Sequence, residues 1–227
     1  GQSPFPVPEK IVETLKKNAF RKEYLPVQGL PQLREAISNY LEKKTGNNYP
    51  KENILITPGS KEAMLLMHIA FKGEIIIPAP GWVSYEPQAQ IGSNKVHWLE
   101  TSKYNNWFPT ANELEKKIKT IKNKNLILIL NSPNNPSGAV CNNLEEIAKV
   151  AKKYKLIILS DEIYTDLTFE NNYNSISKYY PELTFITGGL SKWCGAGGWR
   201  LGFLAVPKKL EEFLASLKSL ASESYST

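Results

Sequence analysis

Cysteine and histidine are scarce: the 227-residue chain holds two of each. Cys141 and Cys194 cannot build a disulfide framework, which excludes a small secreted scaffold. His68 and His97 have no second ligand at metal-binding spacing, so no metal site is expected. No apolar run approaches the length needed to cross a bilayer, and no opening stretch reads as a signal peptide. Together these absences lead us to expect a cytoplasmic, reducing compartment and no membrane partner. No Gly-x-Gly-x-x-Gly follows an early strand, which excludes a dehydrogenase of the dinucleotide-binding type. There is no internal repeat and no low-complexity tract. The formal charge of +6 is spread along the chain, with Lys116-Lys117 and Lys152-Lys153 reading as outer helix faces. That pattern indicates solubility rather than a nucleic-acid partner.

What is present is enough apolar material for one sizeable core or two small ones, 41% of the residues. Residues 1–50 read as an N-terminal arm with helices. The Pro-rich opening stays extended until Pro8, a good first helical residue, after which Ile11, Val12 and Leu15 recur at helical spacing. A second helix starts at Pro31, carries Leu33, Ala36, Ile37, Tyr40 and Leu41 on one face, and ends at Gly46. Residues 51–227 change texture, with short β-branched runs alternating with helices. Strands are expected at 54–57, 74–77, 95–99, 126–130, 156–159, 183–187 and 201–206. Helices are expected at 61–70, after Thr110 (a capping box with Glu113), at 144–154, and from Pro207 onward. Runs that are apolar throughout, such as 126–130, belong to strands covered on both sides. The expected fold is therefore α/β: a mostly parallel seven-stranded sheet with helices on both faces, in three layers.

In such sheets ligands bind beyond the carboxyl ends of the strands. The strand ends here carry Pro58-Gly59-Ser60-Lys61 at a helix start, then Pro78-Ala79-Pro80-Gly81-Trp82. Further on come the amide-rich Asn131-Ser132-Pro133-Asn134-Asn135-Pro136-Ser137-Gly138 and Ser160-Asp161-Glu162-Ile163-Tyr164. Between residues 188 and 198 stand five glycines and one lysine, Lys192, with Arg200 eight positions after it. Alone, that stretch reads equally as a surface loop or as an electrophile-trapping amine.

The combined inventory is a lysine, a carboxylate, a phenol, an amide, an aromatic ring, an arginine and a helix N-terminus. It meets the needs of pyridoxal phosphate, which requires a lysine for its aldehyde, a carboxylate opposite its ring nitrogen and a cradle for its phosphate. The chain resembles the large domain of the class I/II pyridoxal-phosphate aminotransferases. Residues 189–202 fit the family's lysine signature, Asn135-Pro136-Ser137-Gly138 its Asn-Pro-Thr/Ser-Gly motif, and Asp161-Glu162-Ile163-Tyr164 its Asp-Glu-x-Tyr motif. Tyr24-Leu25-Pro26-Val27-Gln28-Gly29, with Leu33-Arg34, resembles the segment that supplies a tyrosine across the family's dimer.

The resemblance implies the following roles. Lys192 would carry the cofactor and, as free amine, shuttle a proton between substrate and cofactor; Ser191 beside it belongs to the same signature. Asp161 would face the pyridine nitrogen, while Glu162 would point the other way. Tyr164 and Asn135 would hydrogen-bond the phenolic oxygen, and Trp82 would stack on the ring. Gly59, Ser60, Lys61 and Arg200 would hold the phosphate. Gly189 stands where many relatives have a serine, which removes one hydroxyl contact. Tyr24 would reach the phosphate of a neighbouring subunit, implying a homodimer. The expected activity is ping-pong transfer of an amino group from an L-amino acid to a 2-oxo acid. The alternatives are another enzyme on this scaffold, such as a carbon–sulfur lyase, or a non-catalytic cofactor-binding domain. Relatives continue into a smaller C-terminal domain, so the 227 residues read as a piece of a longer enzyme and are expected not to turn over alone.

Overall fold

A computed structural model describes residues 3–169 and 173–224 of the chain. Two helices come first, α1 (Glu9–Asn18) and α2 (Pro31–Thr45). The remainder runs β1 (Ile54–Thr57), α3 (Ser60–Ala70), β2 (Glu74–Ala79), α4 (Tyr85–Ile91), β3 (Lys95–Glu100), α5 (Ala111–Thr120) and β4 (Leu126–Asn131). It continues with α6 (Leu144–Tyr154), β5 (Ile157–Asp161), β6 (Thr184–Gly189), β7 (Gly202–Ala205) and α7 (Glu211–Ser224). The seven strands form one sheet in the order β1-β7-β6-β5-β4-β2-β3.

All neighbours pair in parallel except β7, which runs antiparallel to both β1 and β6. The sheet is thus mostly parallel, as expected. The direction of β7 has a consequence for the site: it begins at the sheet edge where its neighbours end. Gly202, its first residue, lies opposite Thr57 of β1 on one side and Gly189 of β6 on the other.

Successive side chains of a strand go to opposite faces, and the core follows that alternation. Ile127 and Ile129 of β4 join Leu159 and Phe185 in a cluster beneath α3, α4 and α7. Leu126, Leu128 and Leu130 face the other way with Ile158, against α5 and α6. A third cluster seats Leu41 of α2 on Ile54, Ile56, Ile186 and Phe203. Burying each of these large side chains contributes about 1.5–3 kcal/mol. The capping box at α5 is formed, with the Glu113 backbone N–H donating to Thr110 and the Glu113 carboxylate accepting from the Thr110 N–H.

Two features go beyond the sequence reading and one expectation is corrected. The helix α4 was not anticipated: it spans only seven residues with Pro87 among them, too short for a periodic pattern. The apolar positions of α1 do not enter a core, since none of that helix is buried. The chain after Pro207 first makes a 3-10 turn at Lys208–Leu210 before α7 begins.

Candidate active site

Because β7 is reversed, the ends of β1, β2, β4, β5 and β6 and the start of β7 share one edge. A cavity of 120 Å³ opens there. Ser60, Trp82, Asn135, Asp161, Tyr164 and Lys192, all singled out from sequence, line it. Met64, Tyr85, Asn131 and Ile163 complete the lining. Each wall follows from local structure. Asp161 ends β5 with the parity of Leu159, so its carboxyl emerges on the α3–α4 side. Glu162, one residue on, takes the opposite side.

Asp161 is buried and held from two directions. The Tyr85 hydroxyl donates to Oδ2 at 2.7 Å and the Ile163 N–H to Oδ1 at 3.3 Å. Burial pushes its carboxyl up to about 6, against the pull of Tyr85, the Ile163 N–H and the charge of Lys192. Tyr85 is itself fully buried, edge-on to the Trp82 ring with centroids 5.5 Å apart. The Lys192 ammonium lies 5.4 Å from the centroid of the Tyr164 ring.

The amide-rich turn is built from within. Asn131 ends β4, donates through Nδ2 to the Asp161 carbonyl at 2.9 Å, and accepts the Asn135 N–H at 2.7 Å. That places the Asn135 amide to donate to the Tyr164 hydroxyl, at 3.4 Å. Asn131 therefore ties the Asp161 strand end to the Asn135 turn.

The remaining expected residues fall into two groups. Gly59, Ser60 and Arg200 converge at the start of α3. Gly59 has φ +85°, and a Cβ there would collide with the Arg200 guanidinium; a Cβ on Gly202 would collide with the Ser60 nitrogen. Arg200 donates to the Pro58 carbonyl at 3.0 Å and the Gly197 carbonyl at 2.7 Å, which holds its fork beside the helix start. Gly59 and Arg200 stand beside the cavity without lining it, and Lys61, Ser191 and Tyr24 do not line it either. Lys61 lies over the Trp82 ring, 5.6 Å from its centroid. Tyr24 is 89% exposed.

Sequence reading missed Tyr85, Met64 and Ile163 and gave Asn131 no role. Tyr85 had a usable signal: it lies three residues past Trp82, one helical turn beyond the strand-end segment. Among the described residues no group of His, Cys, Asp and Glu could hold a metal ion. No described helix is long and apolar enough to cross a membrane.

The family model for aminotransferase class I and II matches residues 1–227. The aspartate aminotransferase of Pyrococcus horikoshii is 35% identical over 228 residues, which cover 96% of this chain and 57% of that protein. The aspartate/prephenate aminotransferase of Thermus thermophilus is 32% identical over 234 residues, 100% of this chain and 60% of that protein. In structure, the Thermus thermophilus aspartate aminotransferase with maleate superposes with a TM-score of 0.91 at 29% identity, covering 99% of this chain and 59% of that one. The aromatic aminotransferase from Pyrococcus horikoshii gives 0.89 at 31% identity, covering 98% and 61%. The chain thus spans less than two thirds of the length of these relatives.

Proposed function

Since the chain belongs to the class I and II aminotransferase family, we propose that its protein moves an amino group between an amino acid and a 2-oxo acid, with pyridoxal phosphate held in this cavity. One observation carries the reading: Lys192, Asp161, Tyr164, Asn135 and Trp82, from four separate segments, line a single cavity at the edge of the sheet. The relatives' activities, aspartate, aspartate/prephenate and aromatic aminotransferase, support an amino acid and 2-oxo acid substrate class.

The residues fit the cofactor by their chemistry. The N–H groups at the start of α3, the Ser60 hydroxyl and the Arg200 fork make a cradle for a phosphate dianion, and the missing Cβ atoms of Gly59 and Gly202 let the Arg200 guanidinium and the start of β7 pack this close to that helix start. The cofactor, when bound, supplies an aldehyde for the amino group and a ring that accepts electrons released at the substrate Cα. Lys192 would hold that aldehyde and, once released as an amine, would move the proton at the substrate Cα. Asp161 would hold the ring nitrogen protonated, a cation that would compensate the carboxylate burial otherwise disfavours. Trp82 would stack against the ring, and Tyr164 and Asn135 would donate to its phenolic oxygen.

The same reading extends to a second copy of the chain. Tyr24 stands 89% and Phe20 78% exposed, outside the cavity and near Leu25, Val27 and Leu30 in sequence. A tyrosine so placed is available to a neighbouring subunit's phosphate.

Borohydride reduction of the cofactor-loaded protein, followed by peptide mass mapping, tests the site. The label is expected on Lys192, and a label on another lysine of cofactor-binding protein overturns it. Incubation of the full-length protein with an amino acid and a 2-oxo acid tests the reaction. Amino transfer is expected; release of free ammonia instead indicates the lyase.

A further inference from the structure

The opposite side of the β5 end holds a buried acid that the reaction above does not use. Glu162 leaves the strand facing α2, and its N–H donates to the Thr187 carbonyl of β6 at 2.9 Å. Its Oε1 accepts from the Ser160 hydroxyl at 2.8 Å and the Ser175 hydroxyl at 2.6 Å. Ser175 in turn meets the Ser177 hydroxyl at 2.8 Å. The buried Tyr173 hydroxyl lies beside the same carboxyl.

The charged and titratable groups around Glu162 are few. Asp161 lies across the strand, and Tyr40 of α2, Tyr49 and Tyr173 present phenols to it. The Lys44 ammonium at the rim is committed to Asp166 at 2.6 Å, which also accepts from the Tyr40 hydroxyl at 2.8 Å. No basic group pairs with Glu162 among its described contacts; its neighbours are hydroxyls and the apolar wall of Ile37, Leu41, Ile186 and Phe203. A carboxylate so enclosed lacks a compensating charge, whereas a carboxylic acid needs only hydroxyl partners.

We propose that Glu162 is a positioning residue that stays a neutral acid, fastening the turn bearing Asp161 and Tyr164 to the 175–177 segment and leaving Asp161 the single negative charge buried at the end of β5. Burial raises the Glu162 carboxyl above its ordinary range against the pull of the Ser175, Tyr173 and Ser160 hydroxyls, and the negative Asp161 adds to the rise. Two ionised carboxyls on adjacent residues would oppose each other, and Asp161 is the one that faces a cationic group. The fastening role rests on the cofactor reading above; the neutrality of Glu162 does not.

Two measurements separate these parts. Infrared spectra of the cofactor-free protein at about pH 7.5 are expected to show the carbonyl stretch of a protonated carboxylic acid. It should vanish in Glu162→Gln and persist in Asp161→Asn; its absence from the parent, or its survival in Glu162→Gln, overturns the neutral assignment. In cofactor-loaded protein, Glu162→Gln is expected to keep the pH midpoint of the visible absorbance and the cofactor Kd within about twofold of the parent. Glu162→Ala is expected to weaken cofactor binding by about tenfold and to move that midpoint. Should Glu162→Ala fail to fold, Ser175→Ala is expected to change both in the same sense by a smaller amount. If Glu162→Gln moves the midpoint as far as Glu162→Ala, charge rather than shape matters and the proposal falls. Parent-like values in both Glu162→Ala and Ser175→Ala end the positioning role. Failure of Lys192 labelling would undo the cofactor reading while leaving the infrared result standing.

Discussion

A phenol one helical turn past Trp82 sets how Asp161 is held. Tyr85 donates to Oδ2 from a fully buried position, so its removal leaves that oxygen without this donor and without water to replace it. Hydrogen bonds to charged groups contribute roughly 1.5–3 kcal/mol. Tyr85→Phe is therefore expected to move the Asp161 titration upward from about 6 by about one to two pH units. Carbon-13 NMR of the labelled aspartate carboxyl in cofactor-free protein reads this directly, and an unmoved midpoint would mean that Tyr85 does not hold the acid. Asn131 acts one step further back, through backbone rather than charge, since it binds the Asp161 carbonyl and the Asn135 N–H. Neither residue belongs to a motif, and hydrogen bonding across 76 positions, as between Tyr85 and Asp161, leaves no local pattern. By contrast Lys192, Asp161, Asn135 and Tyr164 each sit in a short string whose chemistry is stated by neighbours in sequence.

At the scale of elements, the junction of β7 with α3 forms the phosphate end of the site. Gly202 lies so close to Gly59 and the Ser60 nitrogen that a methyl group has no room. Both neighbours are backbone, so neither can rotate away. Gly202→Ala is expected to cost about 1–3 kcal/mol of stability by overpacking and to weaken phosphate binding by displacing the start of α3. Thermal melts together with cofactor titration check both effects; a parent-like melt with parent-like affinity would show that the junction is slack. All seven strands were legible from sequence because runs such as 126–130 are apolar beyond what any amphipathic helix needs. The order of strands and the reversal of β7 were not legible, since a four-residue buried strand reads alike in either direction. The helix α4 escaped for a related reason: seven residues hold under two turns, and burial of Tyr85, Gln88 and Ala89 mixes polar with apolar.

For the whole molecule, acid acts on two buried sites in opposite senses. His68 on α3 is 0% exposed, neither ring nitrogen has a hydrogen-bond partner, and burial lowers it to about 4 from 6.5. A depressed histidine contributes stability that is present above 6.5 and lost as pH falls through about 4. Asp161, raised from 3.8 to about 6, does the reverse: its contribution is full below 3.8 and lost as pH rises through about 6. The raised Glu162 adds to the Asp161 direction. Each of the His68 and Asp161 displacements corresponds to on the order of 3 kcal/mol. In cofactor-free protein, His68→Leu is accordingly expected to gain stability relative to the parent on acidification from pH 7 to 4. Asp161→Asn is expected to lose stability relative to the parent over the same range. Urea unfolding at several pH values checks both slopes, and parallel curves for parent and variants would contradict the assignments.

The reversed β7 also determines how far the lysine is, along the chain, from what fixes it. In an all-parallel sheet the strand after β6 would be reached only by a crossover that carries the chain back along the length of the sheet, usually through a helix. Here residues 190–201 leave β6 and return on the strand beside it, clamped at the base by the Gly189–Gly202 pair. Closing so short a loop costs little chain entropy, whereas Ser60 and Asp161 must be gathered from over a hundred residues and from about thirty residues away respectively. The lysine segment is thus a local unit inside a site that is otherwise long-range. A duplication or deletion of one residue within 190–201 would shift the amine against the acid without touching any other strand pairing. That gives natural variation a single hinge at which lysine placement can drift while the sheet stays whole.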